Sequence, residues 1–150
     1  MARFGNCLYF ITLLYFTEFF SNAMSEKDDD VFEFYLCTRR QLCECEGGAD
    51  NYKRCYSLLE EETDHWFLEE MNNCNLGTIS NYNEMVEIGC SVSPEEFYPC
   101  FLEMEKKLKQ KSDELHKSPM AKRESTALES TRSCLMPNFS MCADNPEDCL

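Results

Sequence analysis

The sequence predicts an all-α fold: a small disulfide-stapled bundle of four to five short helices with an irregular, disulfide-tethered C-terminal tail. Three observations carry this expectation. Apolar residues recur at helical spacing through most of the chain, whereas strand-like alternation is confined to "VFEFYL". Helix-start signals stand ahead of the periodic stretches. The cysteines are numerous, and beyond the N-terminal segment they are even in number.

The N-terminal segment sets the compartment. Residues 1–23 carry Arg3 ahead of a short apolar core, Leu8–Phe16, with small Ser21 and Ala23 at the spacing of a cleavage site after Ala23. This reads as a signal peptide. Its apolar run, interrupted by Glu18, is short of the roughly 20 residues a transmembrane helix needs. The expected mature chain, 24–150, is therefore secreted and extracellular, without membrane insertion. Cys7 leaves with the signal, so ten of the eleven cysteines remain: Cys37, Cys43, Cys45, Cys55, Cys74, Cys90, Cys100, Cys134, Cys142 and Cys149. An even set in a small secreted chain predicts five disulfides. Their pairing is not readable, because ten cysteines allow on the order of 900 connectivities.

The elements follow in order. Residues 24–30, "MSEKDDD", read as a flexible acidic leader, and 31–117 as the helical disulfide-rich domain. Val31, Phe32, Tyr35, Leu36, Arg39, Leu42 and Cys43 suit a helix stripe; a short strand over "VFEFYL" is the alternative, disfavoured because every later element is helical. "EGGAD" breaks the chain. Asp50 or Asn51 is the expected N-cap of the next helix, with Tyr52, Cys55, Tyr56 and Leu59 on one face. Thr63 is the expected cap of a helix bearing Trp66, Phe67 and Met71, with Gly77 as its stop. Ser80 is the expected cap of "NYNEMVEIG", closed by Gly89.

The strongest local signal starts at Ser93. Pro94 takes the first helical position and Glu96 follows three residues after the serine, as in a capping box. Phe97, Cys100, Phe101, Met104, Leu108 and Leu115 form the stripe, and Pro99 is expected to kink or restart the helix. Lysines gather toward its C-terminal end, where the helix dipole favours them. Beyond 117 the pattern dissolves: 118–133 reads as a polar linker and 134–150 as a cysteine-containing tail packed on the domain.

Charge narrows the partners. A net charge of −14 should repel nucleic acid and anionic lipid at long range, while 13% aromatic residues argue for a real core. The charge is also segregated. From Cys55 through Glu105 there is no Lys or Arg, against twelve acidic residues; from Lys106 to Arg123 seven basic residues face only Asp113 and Glu114. One reading is internal balance, the basic segment packing near the acidic helices. The other is an acidic docking face, Glu60, Glu61, Glu62, Asp64, Glu69, Glu70, Glu84 and Glu87, for a protein receptor or channel with a basic surface.

The crowded stretch "CTRRQLCECEGGADNYKRC" lacks the C-x2-4-C spacing of zinc sites, and the chain has only two histidines. No C-x-x-C redox pair occurs. Cys43 and Cys45, two apart, are expected to reach different partners. "CADNPEDC" offers Asp144, Asn145, Glu147 and Asp148 but not the calcium-loop register, and reads as a solvated disulfide loop. Asp64 beside His65 is superficially similar to the His–Asp pair of secreted phospholipases A2, whose glycine-rich calcium loop and adjacent cysteines are missing here. With no G-x-S-x-G elbow either, neither an enzyme nor a cofactor is expected. Asn138-Phe139-Ser140 is an N-glycosylation sequon, and Arg39-Arg40 and Lys122-Arg123 are dibasic pairs. Seven mature cysteines precede Arg123 and three follow it, so at least one disulfide must cross a cut there if all ten pair.

A signal peptide, an acidic helical body and ten mature cysteines resemble, in general layout, cysteine-rich secreted animal proteins of arthropod or nematode venom, salivary and other glands. The resemblance spans the mature chain without a family-specific motif and assigns no functional residue. Insect odorant-binding proteins are similar in being acidic and helical, but their C-x3-C pair is absent. The expected function is a secreted, non-enzymatic, toxin-like or effector-like binding protein that presents an acidic helical surface. The alternatives are an extracellular carrier of a small apolar ligand and a structural secreted protein.

Overall fold

The computed structural model describes residues 28–149. The signal-peptide segment, Cys7 and most of the acidic leader lie outside the described residues. Six α-helices follow one another: α1 (Asp28–Cys43), α2 (Gly48–Tyr56), α3 (Glu61–Asn72), α4 (Tyr82–Ser91), α5 (Pro94–Lys117) and α6 (Lys122–Asp144), with a 3-10 turn, Pro119–Ala121, between the last two. No strand occurs among the described residues, so "VFEFYL" is helical. The expected all-α, disulfide-stapled bundle is what the chain forms.

The C-terminal third differs from expectation. Neither the polar linker at 118–133 nor most of the irregular tail at 134–150 is irregular: α6 runs from Lys122 to Asp144, through Pro137. Its buried positions are Leu128, Thr131, Leu135, Asn138 and Cys142, spaced alternately three and four apart. That is an inward helical stripe with Thr and Asn in two of its five places, which hides it from an apolar periodicity. Both polar side chains have partners. Thr131 Oγ1 donates to the Ala127 carbonyl at 3.0 Å, and Asn138 Oδ1 accepts from Asn51 Nδ2 at 2.9 Å. The leader is likewise shorter than 24–30, because α1 already begins at Asp28.

Caps were partly legible. Ser93 Oγ accepts from the Glu96 N–H at 3.2 Å, with Pro94 opening α5 as expected, and α5 continues through Pro99. At α4 the cap is Asn81, one residue past Ser80; its Oδ1 accepts from Asn83 N–H and Glu84 N–H, while Glu84 reaches back to the Ser80 N–H at 2.7 Å. Gly89 lies inside α4 and does not close it. Thr63 is no cap: α3 starts at Glu61, and the buried Thr63 hydroxyl donates to Glu124 of α6 at 2.7 Å. Asn75, at φ 58°, turns the chain after α3, ahead of Gly77. The start of α2 falls at Gly48, before Asp50 and Asn51, and both glycines there are needed. Gly47 has φ 73°, and a Cβ on Gly48 would stand 1.7 Å from the Gln41 carbonyl oxygen.

All ten cysteines of the described residues are paired: Cys37–Cys142, Cys43–Cys90, Cys45–Cys149, Cys55–Cys134 and Cys74–Cys100. Cys43 and Cys45 do reach different partners, one on α4 and one in the tail. Three of the five bridges tie the chain before Arg123 to the chain after it, so a cut at Lys122-Arg123 would leave two covalently joined pieces.

Two apolar clusters fill the bundle. Phe67, Met71, Ile79, Met85, Cys100 and Met104 join α3, α4 and α5. Tyr52, Cys55 and Leu135 join α2 and α6, and Tyr56 packs against both clusters. Tyr35 of α1 meets Phe97, Tyr98 and Phe101 of α5 in an aromatic seam.

Candidate functional site

The acidic segment divides into two kinds of residue. Four of the eight carboxylates expected on the docking face are engaged within the fold. Glu60 takes both ends of the Arg123 guanidinium at 2.8 Å. Glu70 pairs with Lys107 and accepts from Asn73, and those contacts hold its carboxyl below the usual carboxylate range. Asp64 accepts from the Tyr82 hydroxyl, and Glu84 caps α4. The basic end of α5 and the start of α6 thus do balance part of the acidic segment, with Lys111 also lying over the Trp66 ring at 5.3 Å.

The other four, Glu61, Glu62, Glu69 and Glu87, remain exposed. On α3, Glu61, His65 and Glu69 follow at spacings of four, with Glu62 beside them, so they share the outer face. Asp64 and His65 do not face each other as a catalytic pair would: Asp64 turns to Tyr82, while His65 approaches Glu69 at 3.7 Å.

The Cys74–Cys100 bridge joins the end of α3 to α5. A surface cleft of about 230 Å³ lies beside it, lined by Glu70 of α3, Asn73 just past its end, and Glu96, Pro99, Glu103 and Lys107 of α5. Glu96 and Glu103 are exposed and lie outside the eight carboxylates expected for the face. Seven residues apart on one helix, they share its surface; only the pairing of Cys74 with Cys100 would have shown that this surface adjoins α3.

A second concavity reaches into the bundle and is partly open to solvent. A cavity of about 110 Å³ lies where the two apolar clusters meet, with lining from all six helices. Phe67, Met71, Met85, Phe101, Met104 and Leu108 make most of its wall, together with Tyr52, Arg39 and Glu105. Protein interiors are otherwise close-packed. The Tyr52 hydroxyl is buried and makes no hydrogen bond. Burial pushes its pKa up to about 12, with the neighbouring Asn138 side chain pulling the other way. Burial also raises the Glu105 carboxyl, opposed by Arg132.

The remaining expected sites have different roles. Asn138, the sequon asparagine, is 2% exposed inside α6 and held by Asn51. The sequon therefore lies inside a helix, which corrects the expectation that it sits in a loop-rich tail. Arg39 and Arg40 are engaged: Arg39 donates to the carbonyls of Gly89, Cys90 and Val92, and Arg40 to the Pro146 carbonyl and the Glu147 carboxylate. Among the described residues no group of three or more His, Cys, Asp or Glu is placed to hold a metal ion, and no helix is long and apolar enough to cross a membrane. No protein-family model, curated protein or solved structure matches the chain.

Proposed function

We propose that this protein is a secreted, non-enzymatic binding protein, effector-like or toxin-like, that docks a basic protein surface against the acidic side of α3 and α5. One observation carries the reading. Exposed Glu96 and Glu103 of α5 line a cleft that Cys74–Cys100 closes against the end of α3, with the Glu70–Lys107 pair at its other end. Five disulfides belong to an oxidising compartment and hold the surface in one shape, which lowers the ordering cost of binding. Opposite charge speeds encounter and selects the partner more than it adds affinity.

The test is binding to an immobilised arginine-rich peptide across a salt series. The association rate is expected to fall at least about tenfold between 50 and 500 mM salt, as the Debye length shrinks from roughly 14 to 4 Å. Glu96→Lys/Glu103→Lys should cut the low-salt rate by a further order of magnitude or so. Asp113→Lys/Glu114→Lys, on the basic half of α5, serves as the comparison. Equal losses for the two variants, or a rate indifferent to salt, would exclude the acidic side as the docking surface.

A further inference from the structure

We infer that the pocket reaching into the bundle binds a small primary amine, with the ammonium group on Glu105 and a short hydrocarbon body among the aromatic and methionine side chains. This site is separate from the acidic docking surface. The wall is mostly apolar and contains one carboxylate. On α5, Phe97, Phe101, Met104, Glu105 and Leu108 all line it, at the spacing of one inward helical face. Glu105 thus stands where the pattern calls for an apolar side chain. A carboxylate in such a place is normally paired. Glu105 makes no hydrogen bond or salt bridge among the described residues. Arg132 attracts it from farther off, too weakly to offset burial, and pairs with Glu129 at 3.2 Å. Arg39, the one basic residue of the wall, has its guanidinium on the carbonyls of Gly89, Cys90 and Val92.

Access to the carboxylate is open. Among the described residues only the Tyr52 hydroxyl is both sealed from solvent and unbonded, so the Glu105 oxygens and the Tyr56 hydroxyl are not shut in. Tyr56 stacks its ring on Phe67 and Tyr82, and its hydroxyl lies close enough to feel the Glu105 charge, which adds to the effects of burial and Tyr52 in raising its pKa. The two groups form an acceptor pair at the pocket wall. An ammonium group brings three donors and the positive charge that Glu105 lacks. The rings of Tyr35, Phe97 and Phe101 in the same wall also favour a cation. Size limits the rest of the ligand. An apolar cavity of about 150 Å³ admits benzene, so about 110 Å³ takes roughly four carbons on that scale. A fatty acid fails on length and on its charge against Glu105.

The probe is n-butylamine, cationic at neutral pH, titrated into the full, disulfide-intact chain carrying ¹³C-labelled methionine methyls. Butan-1-ol is its neutral counterpart. Met71, Met85 and Met104 line the pocket, so their methyls should shift saturably together while Met120, 95% exposed, stays still. The amine should bind about tenfold more tightly than the alcohol, because only the amine makes a charge-assisted bond to a carboxylate. Glu105→Gln keeps the shape and removes the unpaired charge, so it should fold at least as well as the parent and erase that preference. Tyr56→Phe should weaken amine binding severalfold. Glu61→Gln, on the outer face of α3, should leave it unchanged, which separates the site from the general pull of an acidic chain on cations. Linear shifts, shifts shared with Met120, or an equal loss in Glu61→Gln overturn the site. Equal binding of amine and alcohol, or amine binding unchanged in Glu105→Gln, overturns the ligand class, and no change in Tyr56→Phe removes the second acceptor.

Discussion

Replacing both Cys55 and Cys134 by alanine should lower the unfolding free energy by about 4 kcal/mol, with the other four bridges intact. The two cysteines lie 79 residues apart, which alone would give about 4–5 kcal/mol by loop-closure entropy. In the unfolded chain, however, Cys37–Cys142 still provides a short path between them, back along α1 and α2 and on from α6. The loop is then about a third as long, and the entropic part drops to about 3–4 kcal/mol. Packing adds to it, because Cys55 is completely buried against Tyr52 and Leu135. Against a typical total of about 5–15 kcal/mol this is a large loss. Guanidinium unfolding measures it, with the m-value fitted separately for each protein because the unfolded chain loses a cross-link. A loss under about 1 kcal/mol would mean that α2 and α6 hold together without the bridge.

Arg39→Met should cost about 3 kcal/mol, by the same measurement, whereas Arg40→Met should cost less than about 1. The residues are adjacent and look alike in the sequence. Arg39 crosses from α1 to the end of α4, where its guanidinium serves the carbonyls of Gly89, Cys90 and Val92. Those belong to the last turn of a helix, whose carbonyls lack intrahelical partners. Methionine keeps most of the apolar stem and leaves the carbonyls unserved. Arg40 contacts Pro146 and Glu147, the latter 85% exposed, where salt and water weaken the pair. Equal costs for the two substitutions would contradict this division. It also bears on processing: a protease reading the Arg39-Arg40 pair would have to unfold the junction of α1 and α4, whereas Arg123 stands 84% exposed at the head of α6.

What the sequence disclosed follows physical lines. Local signals were readable where apolar side chains or a cap carry the element, as at Ser93–Pro94–Glu96 and on the Tyr52–Leu59 face. They failed on α6, because its inward positions include Thr131 and Asn138, whose hydrogen bonds are made within the fold and leave no trace in a hydropathy pattern. The same burial turned the Asn138 sequon from a surface motif into a core contact. Helix starts slipped by one to three residues at Ser80, Thr63 and Asp50, where several residues of capping type adjoin. For the acidic side, composition gave its sign and its α3 stripe. Its extension to Glu96 and Glu103 depends on which cysteine meets Cys74, a long-range choice that spacing does not encode. Glu105 shows the converse, an acidic residue of the same run that faces inward.

The crowded stretch from Cys37 to Cys55 is a junction of the framework. Gly47 and Gly48 fold α2 back against α1, while four cysteines send bridges to α4, α6 and the tail. Both this junction and the acidic cleft rest on one connectivity. Proteolysis of the unreduced protein at acidic pH, where thiol exchange is suppressed, followed by mass spectrometry of the linked peptides, tests it most directly. No free thiol is expected among residues 28–149, with Cys43 and Cys45 in separate bridges and Cys74 joined to Cys100. A Cys43–Cys45 bond would contradict the junction, and Cys74 found with any other cysteine would remove the bridge that assembles the acidic side.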